Sequence, residues 1–175
     1  MKKFAALLAL LLLSTTVSLA QLGVYAGFTT SKFDTANTPR MNGGTFGAYF
    51  DASHHPLLNF GVDLRAVVLP SSTSNNSIAS LSAVTAGPRV VLHLPVIPIH
   101  PYAEGLIGGA HIREGQGVAF IDETDFAAGL AAGADLHILP YIDWRILDYS
   151  YTRINSAHAS QNSFTTGLVL RIPFS

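Results

Sequence analysis

Residues 58–68 read Leu-Asn-Phe-Gly-Val-Asp-Leu-Arg-Ala-Val-Val, and this stretch decides the fold. Every second residue from Leu58 to Val68 is apolar, and the residues between them include Asp63 and Arg65. Alternate residues of a strand face opposite sides of a sheet, whereas a helix would scatter these apolar side chains around its axis. The stretch therefore predicts a β-strand with one apolar face and one polar face.

The same period of two recurs along the rest of the chain, and no segment convincingly repeats apolar residues at helical spacing. Nor does any segment after the N-terminal one reach the ~20 apolar residues that a transmembrane helix needs. The pattern predicts eight strands, near residues 22–30, 43–51, 57–69, 80–94, 101–113, 124–138, 141–153 and 162–174.

The segments between the predicted strands are of two kinds, which alternate. Short ones that contain His or Pro lie at 52–56, 95–100 and 139–140. Long ones that are rich in Ser, Thr and Asn lie at 31–42, 70–79, 114–123 and 154–161. Short turns at one end and long loops at the other are typical of outer-membrane barrels. We therefore predict an all-β, eight-stranded antiparallel up-and-down transmembrane β-barrel with both termini periplasmic.

The predicted faces have the sense of a membrane barrel. In the last strand Leu168 and Leu170 would face lipid, while Gly167 and Arg171 would line the lumen. A soluble lipid-binding barrel would place its apolar face inside instead. Aromatic residues near both ends of the strands predict two interfacial girdles. Those expected at the periplasmic end are Phe50, Phe60, Tyr102, Tyr141, Trp144 and Phe174, and those at the other end are Phe28, Phe46, Phe126, Tyr151 and Phe164.

Three positions depart from this pattern. Pro88 interrupts a predicted strand where its missing N–H removes a ladder hydrogen bond, so we expect a bulge at residues 87–88. Asp148 has the parity of a lipid-facing residue, so either it lies above the membrane or a bulge shifts the register. The facing of the fifth strand stays open because Glu104 shares its parity with Tyr102 and Leu106.

Composition excludes several classes of function. The chain is 49% hydrophobic and 12% charged, which excludes a disordered protein. A formal net charge of −1 gives no basic footprint for nucleic acid. The absence of cysteine excludes disulfide scaffolds, thiol nucleophiles and thiolate zinc sites. We expect neither a cofactor nor a metal.

Residues 1–20 have the pattern of a cleaved signal peptide, which leaves residues 21–175 as the barrel domain. Lys2 and Lys3 precede an apolar run that is too short to span a bilayer. Ser18 and Ala20 then provide small residues at the cleavage site. The predicted localisation is the outer membrane.

Four segments of the C-terminal half resemble strands of the outer-membrane β-barrel domain family. They are Pro101–Ala110, Ala127–Asp135, Arg145–Tyr149 and Gln161–Ile172. They are similar to the OmpA-like eight-stranded barrels found in many acidobacterial proteins. The last segment also looks like the signal read by the barrel-insertion machinery, with Gly167, Leu170, Ile172 and Phe174 at the positions that match. This resemblance implies the insertion machinery and periplasmic chaperones as partners.

Charged residues on the inward parity predict a polar lumen. The interior of an eight-stranded barrel is just wide enough for side chains to fill, and buried charges need partners. We therefore predict a plugged lumen held by a polar network, with a narrow pore as an alternative. The network consists of Asp63, Arg65, Arg89, Asp135, Arg145 and Arg171.

A catalytic alternative rests on His158 and Ser160, which point the same way if they lie on a strand, so the imidazole could activate the hydroxyl. The segment resembles the His-x-Ser-Asn element of outer-membrane lipid A deacylases, except that Gln161 separates Ser160 from Asn162. This alternative is an acyl-ester hydrolase acting on lipid A. The pair His54-His55 is interpreted as solvated turn residues.

The function that we expect is structural or surface-interacting, without enzymatic activity. Loops on a rigid scaffold are free to vary and to carry binding residues. Segments such as 31–42 and 114–123 are therefore the candidates for contact with a surface ligand. The other expected partners are outer-membrane lipids and lipopolysaccharide.

Overall fold

A computed structural model describes residues 20–34, 40–53, 57–74, 77–94, 97–116, 119–155 and 159–173. Each strand pairs antiparallel with the next, and β1 also pairs with β8, which closes the sheet into a barrel. In the described part of the chain, no helix is long and apolar enough to cross a membrane. The predicted fold class is confirmed. The strands are β1 Ala20–Phe33, β2 Met41–Ser53, β3 Leu58–Ser74, β4 Ser77–Leu92, β5 Ile99–Gln116, β6 Ala119–Leu139, β7 Ile142–Ile154 and β8 Ala159–Pro173.

The barrel has a turn end, where both described termini lie, and a loop end, where β1 meets β2, β3 meets β4, β5 meets β6 and β7 meets β8. The predicted loops 70–79 and 114–123 are wrong, because strands occupy most of both segments. Pairing between neighbouring strands satisfies the backbone there although the sequence is polar. A transmembrane strand needs about 9–11 residues, whereas β5 has 18 and β6 has 21. Strands of this length continue beyond a membrane as a projecting hairpin.

The outer face is apolar and ends in aromatic residues, as predicted. Val62 and Leu130 are 59% and 68% exposed at mid-barrel, in the absence of lipid. Phe60 and Trp144 are exposed toward the turn end. Tyr102 is the exception to the predicted girdles: it is 4% exposed and points into the lumen.

The expected bulge at Pro88 is wrong. The pairs Ala86–Ile107 and Arg89–Glu104 keep one register on both sides of the proline, so pairing with β5 lapses without an inserted residue. A Cβ at the preceding Gly87 would collide with a backbone carbonyl of β5, so the strands approach closely at this point. The strand therefore accommodates Pro88 through the close approach of Gly87 to β5, without a bulge.

The other two open positions are resolved by the structure. In β5 the even-numbered residues face inward, including Glu104 at 3% exposure and Leu106 at 4%. In β7 the register shifts between Arg145 and Asp148, because the strand contains one extra residue there. This bulge turns Asp148 into the lumen, where it is 1% exposed, so the second alternative for this residue is correct.

The lumen is apolar at the loop end. A cluster of buried hydrophobic side chains, here called the apolar layer, occupies this end with residues from β1 to β7, while the polar Gln161 and Ser163 face inward from β8. These apolar side chains face the lumen, as the buried charged ones do, so the interior is polar over only part of its length. The apolar layer consists of Phe33, Met41, Leu69, Leu81, Ala83, Ala110, Ile112, Ala127 and Ile154.

Candidate functional site

A group of buried charges, here called the ionic layer, fills the middle of the lumen. Five of the residues predicted for the lumen lie in it, and three acids that the sequence reasoning missed complete it. All of them are 3% exposed or less. The ionic layer consists of the predicted Asp63, Arg65, Arg89, Asp135 and Arg145, together with Asp51, Glu104 and Asp148.

Arg65 joins three strands across the barrel. Its Nη2 lies 2.6 Å from Glu104 Oε2 on β5 and 2.8 Å from Asp148 Oδ2 on β7. Its Nη1 donates to Asp148 Oδ1 at 3.0 Å, and its Nε donates to the Tyr25 hydroxyl at 3.2 Å. A guanidinium that engages a carboxylate with two donors is held in orientation as well as in position. Arg65 therefore braces opposite walls of the barrel.

Arg89 lies between two aromatic rings. The guanidinium carbon is 4.1 Å from the ring centroids of both Tyr49 and Tyr102, close enough for cation–π attraction. Its Nη1 donates to Glu104 Oε1 at 2.5 Å, and its Nη2 lies 3.4 Å from Asp135 Oδ2. Glu104 thus joins Arg89 to Arg65, since each of its oxygens contacts one guanidinium.

Arg145 completes the layer on β7. It donates twice to Asp135, from Nε at 2.9 Å and from Nη2 at 3.2 Å. Its guanidinium carbon is 4.1 Å from the Tyr25 ring. A Cβ at Gly47 would overlap that same ring, so glycine on the neighbouring strand provides the space for the tyrosine. Glycine on the inward face of one strand thus gives room to a large inward side chain of the next.

Two tyrosine hydroxyls donate to acids of the ionic layer. Tyr102 donates to Asp148 Oδ2 at 2.6 Å, and Tyr25 donates to Asp63 Oδ2 at 2.9 Å. Every carboxylate of the layer is within 4 Å of a guanidinium nitrogen, and the two whose nearest one is farthest away are Asp63, at 3.7 Å from Arg65, and Asp51, at 3.5 Å from Arg89. The arrangement is a cross-linked filling, in which these acids are engaged by guanidinium groups.

Arg171 lies apart from the ionic layer, at the turn end. Its Nη2 is 2.9 Å from Asp143 Oδ1, and the same carboxylate oxygen is 2.8 Å from His137 Nδ1. Arg171 also contacts His137 directly. Its side chain is 15% exposed, in contrast to the arginines of the ionic layer. The sequence pattern gave the inward parity of Arg171 but not its separation from the other charges.

Two further histidines lie at this turn end. The rings of His93 and His100 have centroids 4.7 Å apart. Burial lowers the pKa of the His93 imidazole, and the positive charges of Arg171 and Arg89 lower it further. Among the residues that the structure describes, no three His, Cys, Asp or Glu side chains are arranged to hold a metal ion.

Neutral hydroxyls occupy the lumen between the two layers on the β1, β2 and β8 side. Thr29 Oγ1 lies 2.6 Å from Thr45 Oγ1 and 2.8 Å from Thr165 Oγ1. Two residues further along β1 toward the loop end, Ser31 Oγ accepts from Gln161 Nε2 at 2.7 Å and from Ser163 Oγ at 2.9 Å. These bonds satisfy polar groups where the charged and apolar fillings meet.

The predicted catalytic pair is only partly described. Ser160 lies on the outer face of β8, where its Oγ is 2.8 Å from the Tyr151 hydroxyl. His158 lies outside the described residues, as do His54 and His55. Among the described residues, the side-chain contact of Ser160 is therefore with the phenol of Tyr151.

Three of the four residues matched to the insertion signal, Gly167, Leu170 and Ile172, lie on β8. Leu170 and Ile172 are 49% and 40% exposed and face outward, on the lipid side. Gly167 faces inward against the β1 backbone, where a Cβ would collide with the Ala26 carbonyl. Phe174 lies outside the described residues.

A closed eight-stranded antiparallel barrel with an apolar outer surface and a charged interior defines an integral protein of the outer membrane. The chain belongs to the outer membrane protein beta-barrel domain family, whose model matches residues 4–171. Its localisation is therefore the outer membrane. No curated protein sequence matches the chain.

Solved structures show the same fold at low identity. The attachment invasion locus protein Ail of Yersinia pestis is 14% identical, with a TM-score of 0.61 over 87% of this chain and 99% of that one. Neisserial surface protein A is 13% identical, with a TM-score of 0.58 over 86% and 96%. The N-terminal barrel of Pseudomonas aeruginosa OprF is 7% identical, with a TM-score of 0.52 over 90% and 100%.

Proposed function

We propose that the protein is a non-conducting outer-membrane barrel that presents its loop end to partners outside the cell. In this proposal residues 1–20 are a signal peptide that is removed, and both termini of the mature chain face the periplasm. The observation that carries the proposal is the double filling of the lumen. The ionic layer cross-links the walls at mid-barrel, and the apolar layer occupies the loop-end side.

The double filling argues against the narrow pore. An ion that crosses the barrel would have to displace Arg65 or Arg89 from carboxylates at 2.5–2.6 Å and then pass an apolar section. Breaking one partner out of a buried ion pair costs about 3–5 kcal/mol, and apolar constrictions repel water and ions. The interior therefore acts as a structural brace.

Conductance in planar bilayers tests the plug. We expect no steady current from the purified protein, after a mobility shift on boiling has shown that the preparation is a folded barrel. A steady current that changes in Arg89→Ala or Arg145→Ala would overturn the plug and favour the pore.

The hairpin of β5 and β6 is the element best placed for a surface contact. It carries four acids and one arginine, so a cationic partner fits it better than an anionic one. These residues are Glu114, Asp122, Glu123, Asp125 and Arg113. Ail has been solved with the heparin analogue sucrose octasulfate, which is an anion. We propose that this hairpin has the opposite preference.

Binding to protein in lipid nanodiscs tests that preference with two probes of opposite charge. Spermine should bind, and the binding should weaken in the double variant Glu114→Gln/Glu123→Gln. Sucrose octasulfate should not bind at this hairpin. A site that takes the sulfated sugar and is unaffected by the double variant would contradict the assignment.

Enzymatic activity is not part of the proposal. A serine hydrolase needs a base that receives the hydroxyl proton, whereas Ser160 Oγ contacts the Tyr151 hydroxyl. We expect mass spectra of lipid A to be the same from cells with and without the protein. Loss of an acyl chain that depends on both Ser160 and His158 would restore the deacylase alternative.

A further inference from the structure

The outer surface of β7, β8 and β1 changes from apolar to polar toward the loop end. Along β8 the outward residues pass from Leu168 through Phe164 to Asn162. Along β1 they pass from Phe28 to the exposed Lys32. Aromatic side chains of a membrane barrel lie at the edge of the hydrocarbon, so the polar groups beyond them lie at headgroup depth.

The polar groups on these strands form one patch, here called the interfacial patch. Register places Lys32 opposite Asn162, Asn162 opposite Tyr151, and Arg153 opposite Ser160. Lys32 and Arg153 therefore lie on the two strands that flank β8, opposite residues of β8 that are two positions apart. The interfacial patch consists of Lys32, Tyr149, Tyr151, Arg153, Ser160 and Asn162.

Side-chain contacts hold the patch in place. The Tyr149 hydroxyl donates to Asn162 Oδ1 at 2.6 Å, and the Tyr151 hydroxyl lies 2.8 Å from Ser160 Oγ. The Tyr149 ring also packs against Phe164, with centroids 5.2 Å apart. Groups that are already ordered lose less conformational entropy when a ligand binds. Polar groups and aromatic rings are thus arranged together before any ligand arrives.

A surface depression of about 510 Å³ opens beside the patch, between β1 and β8. This volume falls within the range of about 300–1,000 Å³ that is usual for ligand sites. Two cations and one acid lie around it, and an aromatic ring lies on its membrane side. The lining side chains that face outward are Thr30, Lys32, Asp34, Arg40, Asn162 and Phe164.

The opposite wall of the barrel lacks this character. At the loop end of β5 the exposed Arg113 is an outward cation, and residues 123–139 of β6 contain no lysine or arginine. Glu123 and Asp125 of β6 lie opposite the inward-facing Ile112 and Ala110, so they belong to the lumen-facing row. Among the described side chains, this wall therefore carries one outward cation at the loop end, whereas the interfacial patch carries two.

We infer that the interfacial patch and its depression bind the phosphate-bearing sugar headgroup of an outer-leaflet glycolipid. Lys32, Arg40 and Arg153 supply positive charge for phosphate, while the amide, hydroxyls and aromatic rings suit a sugar. The lipid chains would lie along the apolar surface below Phe164. This inference rests on the proposed outward orientation of the loop end, and it adds a defined lipid site to the proposed plugged barrel.

Lipid retention measured by native mass spectrometry tests the site. The protein is extracted from phosphatidylcholine vesicles that contain either lipid A with its phosphates or the same lipid after their removal. The phosphorylated form should stay bound and the dephosphorylated form should not. In Lys32→Gln/Arg153→Gln retention should fall about tenfold or more, because charge-assisted contacts are lost while both side-chain stems remain.

Arg113→Gln is the matched control, since it removes one exposed cation at the same end on the opposite wall. It should leave retention unchanged, and free inorganic phosphate should not compete with the lipid. Equal retention in the wild type and the double variant, or equal retention of the two lipids, would overturn the site. Each variant is first checked for its mobility shift on boiling. The conductance assay tests the plug separately, so failure of one inference is distinguishable from failure of the other.

Discussion

The two layers that fill the lumen close the same barrel by different physical means. In the ionic layer a few groups make directional contacts, and Glu104 alone joins two arginines from different strands. In the apolar layer nine side chains pack without directional contacts. A charged filling is stable only when every member has its partner, whereas an apolar filling loses stability in proportion to the atoms removed. The two halves of the barrel should therefore differ in how they respond to substitution.

The largest effect should come from breaking the ionic layer. Arg89→Ala would leave Glu104 and Asp135 without one of their buried cations, and it should cost about 3–5 kcal/mol of unfolding free energy. Urea unfolding in lipid vesicles measures the loss. Arg113→Ala, at an exposed position, is the control and should change stability by less than about 0.5 kcal/mol. Equal losses in the two variants would mean that the ion pairs contribute nothing beyond surface charge.

A somewhat smaller effect is expected in the apolar layer. Leu81 is 1% exposed within the cluster, so Leu81→Ala should cost about 2–4 kcal/mol through lost burial and a residual cavity. Leu81→Met keeps the volume and should cost less than about 1.5 kcal/mol. The same unfolding assay applies. If the methionine variant were as unstable as the alanine variant, shape and not volume would govern this layer.

Substitution at the junction between the two layers should cost less unfolding free energy than substitution in either layer. Thr29→Val keeps the shape but removes the hydroxyl shared by Thr45 and Thr165, and it should cost about 1–2 kcal/mol. Thr29→Ser retains the hydroxyl and should recover most of that loss. A valine variant as stable as the wild type would show that the hydroxyls find other partners.

The smallest effect should be a pH dependence at the turn end. Because the pKa of His93 is lowered in the folded barrel, the folded state binds a proton there less readily than the unfolded chain. The contribution of His93 is complete above its ordinary pKa of about 6.5 and is lost as the pH falls below that value. His93→Gln should therefore lose less stability than the wild type between pH 8 and pH 5. Identical slopes for the two proteins would remove His93 from the acid response.

Much of the fold follows from the sequence because lipid imposes a strict rule on one face. Outward residues in the membrane must be apolar, so alternation identified most strands and the inward parity of Asp63 and Arg65, although it left the facing of β5 open. Strand ends were less accurate, because polar residues that pair in a hairpin beyond the membrane have the same composition as a loop. Amino-acid composition shows whether a segment faces lipid or water, but it does not show whether the backbone of a water-facing segment is paired in a strand or forms a loop.

The missed acids have particular causes. Glu104 shares its inward face with Leu106 and with Ile112 of the apolar layer, so alternation fails in β5, where apolar residues point both ways. Asp148 lies beyond a bulge, so its parity in the sequence is opposite to its facing in the barrel. No local pattern could have shown which arginine each acid contacts, because those pairs join strands that are far apart in the chain.

The extra residue near Ile146 determines how β7 would respond to insertions and deletions. Side chains alternate between the two faces of a strand, so one added residue reverses the facing expected for every residue after it. The insertion shifts the frame for the rest of β7, and Asp148 and Ile154 face the lumen only in the shifted frame. Deletion of Ile146 alone would remove the extra residue, and plain alternation from Arg145 would then keep Asp148 toward the lumen and Tyr149 toward lipid. A second inserted residue nearer the loop end would reverse the facing of the residues beyond it and leave the residues before it unchanged. Single-residue deletions elsewhere in β7 should therefore be tolerated far less well than deletion of Ile146.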